Sequence, residues 1–291
     1  QRANILKGNG SRSTQDQYCI IQPYTCAITM PRRTPKPPHR PPVVNSGSTE
    51  SSTIAKLLQE GVALHSQGKL GAAKQIYDKI LQKQPNHFDA LQLTATIYSQ
   101  VKQHEVSLQF FDKALQINKT NAAVFNNRGN ALKELQRFDE ALRSYDDALR
   151  IKPDYIDAMN NRGNAFKELQ RFDEALKSYD DALRIKPDYA DALNNRGNAF
   201  KELKRYDDAL KSYDDALRIK PDFAEATWNK SVLLILTGNY ADGWMLYEAR
   251  LEKEDTKKNY PRYPQFAWRG QEDIQGKKIL IHSEQGLGDS I

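Results

Sequence analysis

Asparagine recurs with the tightest spacing in this chain, and its side chain does uncharged hydrogen-bond chemistry. Asn126, Asn160 and Asn194 stand 34 residues apart; Asn127, Asn161 and Asn195 follow them, with Asn229 one period further on; Asn130, Asn164 and Asn198 repeat at the same interval. A carboxamide both donates and accepts, which is what an extended peptide backbone asks of a surface, whatever its side chains. Set along one groove, these residues predict sequence-tolerant binding of a protein or peptide partner in extended conformation. The alternative is that asparagine merely suits a solvated face and was copied with the segment that carries it.

Elsewhere the candidate chemistry is sparse. Residues 278–282, KILIH, form a short apolar run typical of a buried strand, and SEQGLGDS after it is a glycine-containing loop that could open a helix. Gly286 and Gly288 would let backbone amides approach a phosphate or sugar, with a helix N-terminus behind them. Two glycines alone do not specify a ligand, and by itself Asp289 reads as a helix cap and His282 as a strand-end residue. Cys19 and Cys26 have no neighbouring His or second Cys pair, so they signal neither zinc nor a disulfide framework and read as incidental thiols in a reducing compartment. No motif calls for a metal or a cofactor.

The asparagines belong to a long internal repeat. RGNALKELQRFDEAL at Arg128 returns as RGNAFKELQRFDEAL at Arg162 and RGNAFKELKRYDDAL at Arg196, and units 122–155, 156–189 and 190–223 are nearly identical. Extending the frame gives units 54–87 and 88–121 before them and a sixth that starts at Ala224 and fades near Leu251. The eighth position is small (Gly61, Ala95, Gly129, Gly163, Gly197, Ser231), as two closely approaching helices require. The twenty-fourth is always aromatic (Tyr77, Phe111, Tyr145, Tyr179, Tyr213, Tyr247), a knob for the gap to the next helix. Pro85, Pro153, Pro187 and Pro221 act as helix stops, with Lys119 the one departure. Each unit is therefore expected to hold one helix over its first fourteen positions and another from about the seventeenth to the twenty-eighth. Asp146 with Arg150 and Asp180 with Arg184, four apart, are expected to pair on the second helix. Arg128, Arg162 and Arg196 at the seventh position must snorkel or find an acid.

This pattern resembles the tetratricopeptide repeat over residues 54–251, which implies an all-α, right-handed solenoid whose first helices line a concave groove. The asparagine rows are similar to the ladder in the repeats of O-linked N-acetylglucosamine transferases, where such residues hold substrate backbone. The resemblance also argues against the carboxylate clamp of chaperone adaptors, which would need Lys where Asn126, Asn160 and Asn194 stand. Residues 239–250, 264–270 and 276–291 together resemble the junction at which bacterial tetratricopeptide proteins run into a heptosyltransferase-like glycosyltransferase domain of two Rossmann lobes. That likeness implies residues 252–275 as a linker, residues 276–291 as the start of an α/β domain, and Asp289 as a candidate general base. A nucleotide sugar would be a partner only in a longer protein carrying the second lobe.

Composition fits an elongated repeat better than one large core, since only 39% of the chain is apolar. No run approaches the roughly 20 apolar residues of a membrane span, so a soluble, cytoplasmic protein is expected. Of the net charge of +6, +5 lies in residues 1–50, a basic, Pro-rich and aperiodic tail expected to be disordered; it reads as a basic or proline-motif tether, as a passive leader, or as a wrongly assigned start ahead of Met30. Nucleic acid is not an expected partner, because Glu134, Glu168 and Glu202 directly follow the recurring Lys133, Lys167 and Lys201. The chain opens on Gln1 and stops at Ile291 within a motif, and so reads as part of something longer. Within it the expected role is a non-enzymatic binding scaffold, alone or ahead of a glycosyltransferase-like domain.

Overall fold

The computed structural model describes residues 46–253 and Gln275. The basic tail before Ser46, both cysteines, and residues 276–291 with His282, Gly286, Gly288 and Asp289 lie outside the described residues. Among those described, the chain forms twelve α-helices in antiparallel pairs: α1 (Ser46–Ser66) with α2 (Leu70–Lys83), α3 (Phe88–Gln100) with α4 (His104–Ile117), α5 (Ala122–Glu134) with α6 (Phe138–Ile151), α7 (Ile156–Glu168) with α8 (Phe172–Ile185), α9 (Ala190–Glu202) with α10 (Tyr206–Ile219), and α11 (Ala224–Leu236) with α12 (Tyr240–Tyr247). Each pair is one 34-residue unit. α1 starts before the repeat frame, because an established helix gains a hydrogen bond for each residue added. α12 stops early and passes into a 3-10 turn at Glu248–Glu252.

The turn inside each pair has one form. Its fifteenth position takes the left-handed backbone in all six units: Gly68 and Gly238, but also Lys102, Gln136, Gln170 and Lys204 at φ near 60°. In the third unit Gln136 N–H donates to Lys133 C=O and Arg137 N–H to Leu132 C=O, which satisfies the last carbonyls of α5 and turns the chain by a Schellman cap. α2, α6, α8 and α10 end two residues ahead of Pro85, Pro153, Pro187 and Pro221. α4 ends in the same register without proline because Asn118 Oδ1 accepts from Thr120 N at 2.9 Å, an Asx turn that does the proline's work.

Packing within a pair turns on the eighth and twenty-fourth positions. Tyr77, Tyr145, Tyr179 and Tyr213 are fully buried, and each ring lies under the glycine of the preceding helix. A Cβ on Gly129, Gly163 or Gly197 would sit 2.5 Å from the tyrosine Cε1, so no larger residue fits without moving the ring. The alanines at the twentieth position (Ala73, Ala141, Ala175, Ala209) have no exposed surface and let the second helix close from the other side. Burying each aromatic is worth about 1.5–3 kcal/mol.

The charge pattern on the second helices differs from the i,i+4 expectation. Arg150 pairs with Asp147 and Arg184 with Asp181, one turn away, at 2.7 and 3.0 Å. Asp146 and Asp180 are instead taken by arginines of the next unit.

Gly163→Ala should destabilise the chain by about 1–3 kcal/mol in chemical denaturation, because the added methyl meets Tyr179. Gly71→Ala, whose new Cβ meets nothing within 4 Å, should instead stabilise by up to about 1 kcal/mol through helix propensity.

Candidate functional site

Consecutive first helices pack on one another, α3 on α5, α5 on α7, α7 on α9 and α9 on α11, while the second helices join the stack chiefly through them. The first helices therefore occupy the tighter, inner side, and positions 5, 9 and 12, spaced by four and three, form one stripe along it. The fifth- and ninth-position asparagines lie on this stripe and the sixth-position ones beside it, and the three rows do three different things.

At the fifth position Asn126, Asn160 and Asn194 are buried, 3–6% exposed. Their Oδ1 atoms accept from the sixth-position asparagine of the next unit: Asn161 Nδ2 to Asn126 at 3.0 Å, Asn195 to Asn160 at 3.0 Å, and Asn229 to Asn194 at 2.9 Å. These two rows thus stitch unit to unit. The ninth-position residues Asn130, Asn164 and Asn198 are half-buried and accept through Oδ1 from the hydroxyls of Tyr145, Tyr179 and Tyr213 at 2.7–2.8 Å. Burial, aided by Glu134, Glu168 and Glu202 respectively, pushes these phenols well above their ordinary range, so they keep their protons and must donate.

A second staple is arginine. Arg162 reaches Asp146 of the preceding unit at 3.1 Å and Ser178 of its own second helix at 3.2 Å; Arg196 repeats this with Asp180 and Ser212, and Arg128 with Asp112 and Ser144. Lys230 keeps the link with Asp214. The snorkelling arginines of the sequence thus tie neighbouring units. Lys133, Lys167 and Lys201 pair with the glutamates that follow them at 3.0–3.3 Å.

The ends of the stripe differ in chemistry. The first two units place Leu58, Gln59 and Val62, then Gln92, Leu93 and Thr96, at positions 5, 6 and 9; the last places Trp228 and Val232 around Asn229, with Lys253 Nζ 3.9 Å over the Trp228 ring. In the first unit Tyr77, with valine at the ninth position, turns its hydroxyl to His65 Nδ1 at 3.4 Å, and His65 Nε2 meets Gln100 at 3.1 Å. Burial raises the Tyr77 phenol to about 12 and lowers His65, the latter against a smaller upward pull from Gln100. Among the described residues no group of three His, Cys, Asp or Glu could hold a metal ion, and no helix is long and apolar enough to cross a membrane.

Models of the tetratricopeptide repeat match residues 88–121, 110–143, 129–170, 163–204 and 190–223. Residues 88–223 are tetratricopeptide repeats. The described helices form an all-helical tetratricopeptide solenoid. Among curated proteins, FlbA of Caulobacter vibrioides is 36% identical over 64 residues, which span 21% of this chain and 10% of FlbA. Among solved structures, PilW, a type IV pilus biogenesis factor, superposes with a TM-score of 0.64 at 20% identity, covering 71% of this chain and 97% of PilW. PilF of Pseudomonas aeruginosa gives 0.61 at 18% identity over 72% and 97%. YrrB, a tetratricopeptide protein with an unusual peptide-binding site, gives 0.52 at 23% identity over 62% and 94%. These likenesses carry the fold.

The tyrosine partners of the ninth-position asparagines were missed in the sequence. Their signal is a partial co-occurrence: wherever Asn stands at position 9, Tyr145, Tyr179 or Tyr213 stands at position 24, whereas Thr96 accompanies Phe111 and Val62 and Val232 accompany Tyr77 and Tyr247.

A double-mutant cycle on Asn160→Ala and Asn195→Ala should show a stability coupling of about 0.5–1.5 kcal/mol, the net worth of a buried hydrogen bond. The depressed His65 means that the unfolded chain takes up this proton first as pH falls. Its contribution is therefore complete above about pH 6.5 and declines as pH drops from there through the lower folded value. His65→Gln should flatten that slope in denaturant melts run at about pH 7.5 and about pH 5.

Proposed function

We propose that residues 54–251 are a scaffold that binds extended polypeptide segments along the inner face of the first helices. The observation that carries this reading is the run of three near-identical units presenting uncharged, half-buried carboxamides at Asn130, Asn164 and Asn198, next to the partly exposed Asn127, Asn161 and Asn195. A row of amides repeated once per unit suits a partner that also repeats, and the repeat shared by all polypeptides is the backbone. Peptide binding by YrrB, of the same fold, supports the reading. The lysines bordering the row are neutralised by adjacent glutamates, which disfavours a polyanion as the partner. The further reading, that the scaffold presents its clients to a glycosyltransferase-like domain beginning near Gly276, with Gly286, Gly288 and Asp289 in its first loop, is supported by the sequence of residues 276–291.

Random peptides displayed on phage and panned against the full chain should yield binders that photo-crosslink to benzoylphenylalanine placed at Lys167, on the inner stripe. The same group placed at Lys177, exposed on the outer helix α8, should give none. Crosslinks from Lys177 alone would move binding to the outer helices and sink the proposal.

A further inference from the structure

We propose that the ligand-contacting row is Asn130, Asn164 and Asn198, locked as hydrogen-bond donors by the tyrosines behind them, and that it fits a proline-rich segment in polyproline II conformation. This deepens the peptide-binding reading above and rests on it.

The three asparagine rows are not equivalent. Across the unit boundaries the sixth-position Nδ2 of Asn161, Asn195 and Asn229 donates to the fifth-position Oδ1 of Asn126, Asn160 and Asn194. At the ninth position only the oxygen is engaged, by a phenol whose ring is fully buried. A buried hydroxyl must place its proton, and the carboxamide oxygen is the acceptor before it. Turning the amide over would set N–H groups against O–H and leave that proton unpaired, at a cost of about 1–3 kcal/mol. The oxygen is therefore fixed inward and the two N–H groups of each Nδ2 outward, where they make no hydrogen bond to any described residue. Gly129, Gly163 and Gly197 make this possible, since a side chain there would block the ring's passage beneath the first helix.

The row is three units long. In the flanking units valine or threonine stands at position 9, as Val62, Thr96 and Val232, so the outward donors are confined to α5, α7 and α9. A partner must then offer acceptors at the spacing of packed helices, about 8–10 Å. A β-strand repeats its orientation every two residues, about 6.8 Å, and falls out of step. A polyproline II chain repeats every three residues at about 3.1 Å each, about 9.3 Å, and keeps one carbonyl of each turn facing the row. Proline has no backbone N–H, so a donor-only surface loses nothing in binding it.

Decaproline titrated into the full chain, with the asparagine side-chain amides followed by 15N NMR, tests this. The expected result is joint, saturable shifts of the Asn130, Asn164 and Asn198 amides. The triple variant Asn130→Asp, Asn164→Asp, Asn198→Asp should bind at least tenfold more weakly. The triple Tyr145→Phe, Tyr179→Phe, Tyr213→Phe, which keeps the donors but frees them to rotate, should bind three- to tenfold more weakly. Unchanged affinity in the Asp variant, or shifts confined to Asn127, Asn161 and Asn195, would overturn the assignment. If the panned peptides crosslink to the inner stripe but decaproline does not bind, the donor row falls and the groove stands; if neither binds there, both fall.

Discussion

The rest of this structure depends on the passage of a tyrosine ring beneath a glycine. In three successive units the ring lies against the backbone of the first helix with no room for a Cβ between them. That contact sets the distance between the two helices of a pair and buries the largest apolar group of each unit. It also carries a hydroxyl through to the other side of the first helix, where it meets the ninth-position asparagine. One residue thus fills the core and orients a surface group. A helical pair built on leucine could do the first and not the second.

Stacking between units is, by contrast, markedly polar. Arginine and lysine at the seventh position, aspartate at the twenty-fifth, and the paired asparagines at the fifth and sixth join each unit to the next. The arginine guanidinium groups are only about a fifth to a quarter exposed, but their aspartates are half or more exposed, so each ion pair adds little by itself. The accepting asparagines of these pairs are buried, and there an unmatched amide costs more than a matched one gains. Their effect is therefore to select register: a slipped stack would leave carboxamides unsatisfied along its length. Each unit consults only its neighbours, as in a one-dimensional chain, which is why an apolar content of 39% supports so long an array.

The two ends show what the polar staples replace. At the start, Tyr77 finds His65 where the three central tyrosines find asparagine, and burial of that imidazole makes the first unit sensitive to acid. At the other end α12 is eight residues long where its counterparts have fourteen, and Leu236, Tyr240, Trp244 and Met245 are largely exposed. The three central units carry the uniform groove, and the divergent units frame it with different chemistry.

The sequence by itself determined the period, the two helices of each unit, the glycine and tyrosine that lock them and the residues that stop them, because these are local or short-range requirements that recur in register. It also placed the three asparagine rows on the first helices. What it could not divide was the labour among them. Fifth, sixth and ninth positions look alike as strings of Asn, and whether an amide is spent or offered depends on a residue 15 positions later or 35 positions away. The same holds for the second-helix aspartates: Asp146 sits four residues from Arg150, yet the stack brings Arg162 to it. Stacking angle and distance decide such pairings, and these exist only once neighbouring units have packed.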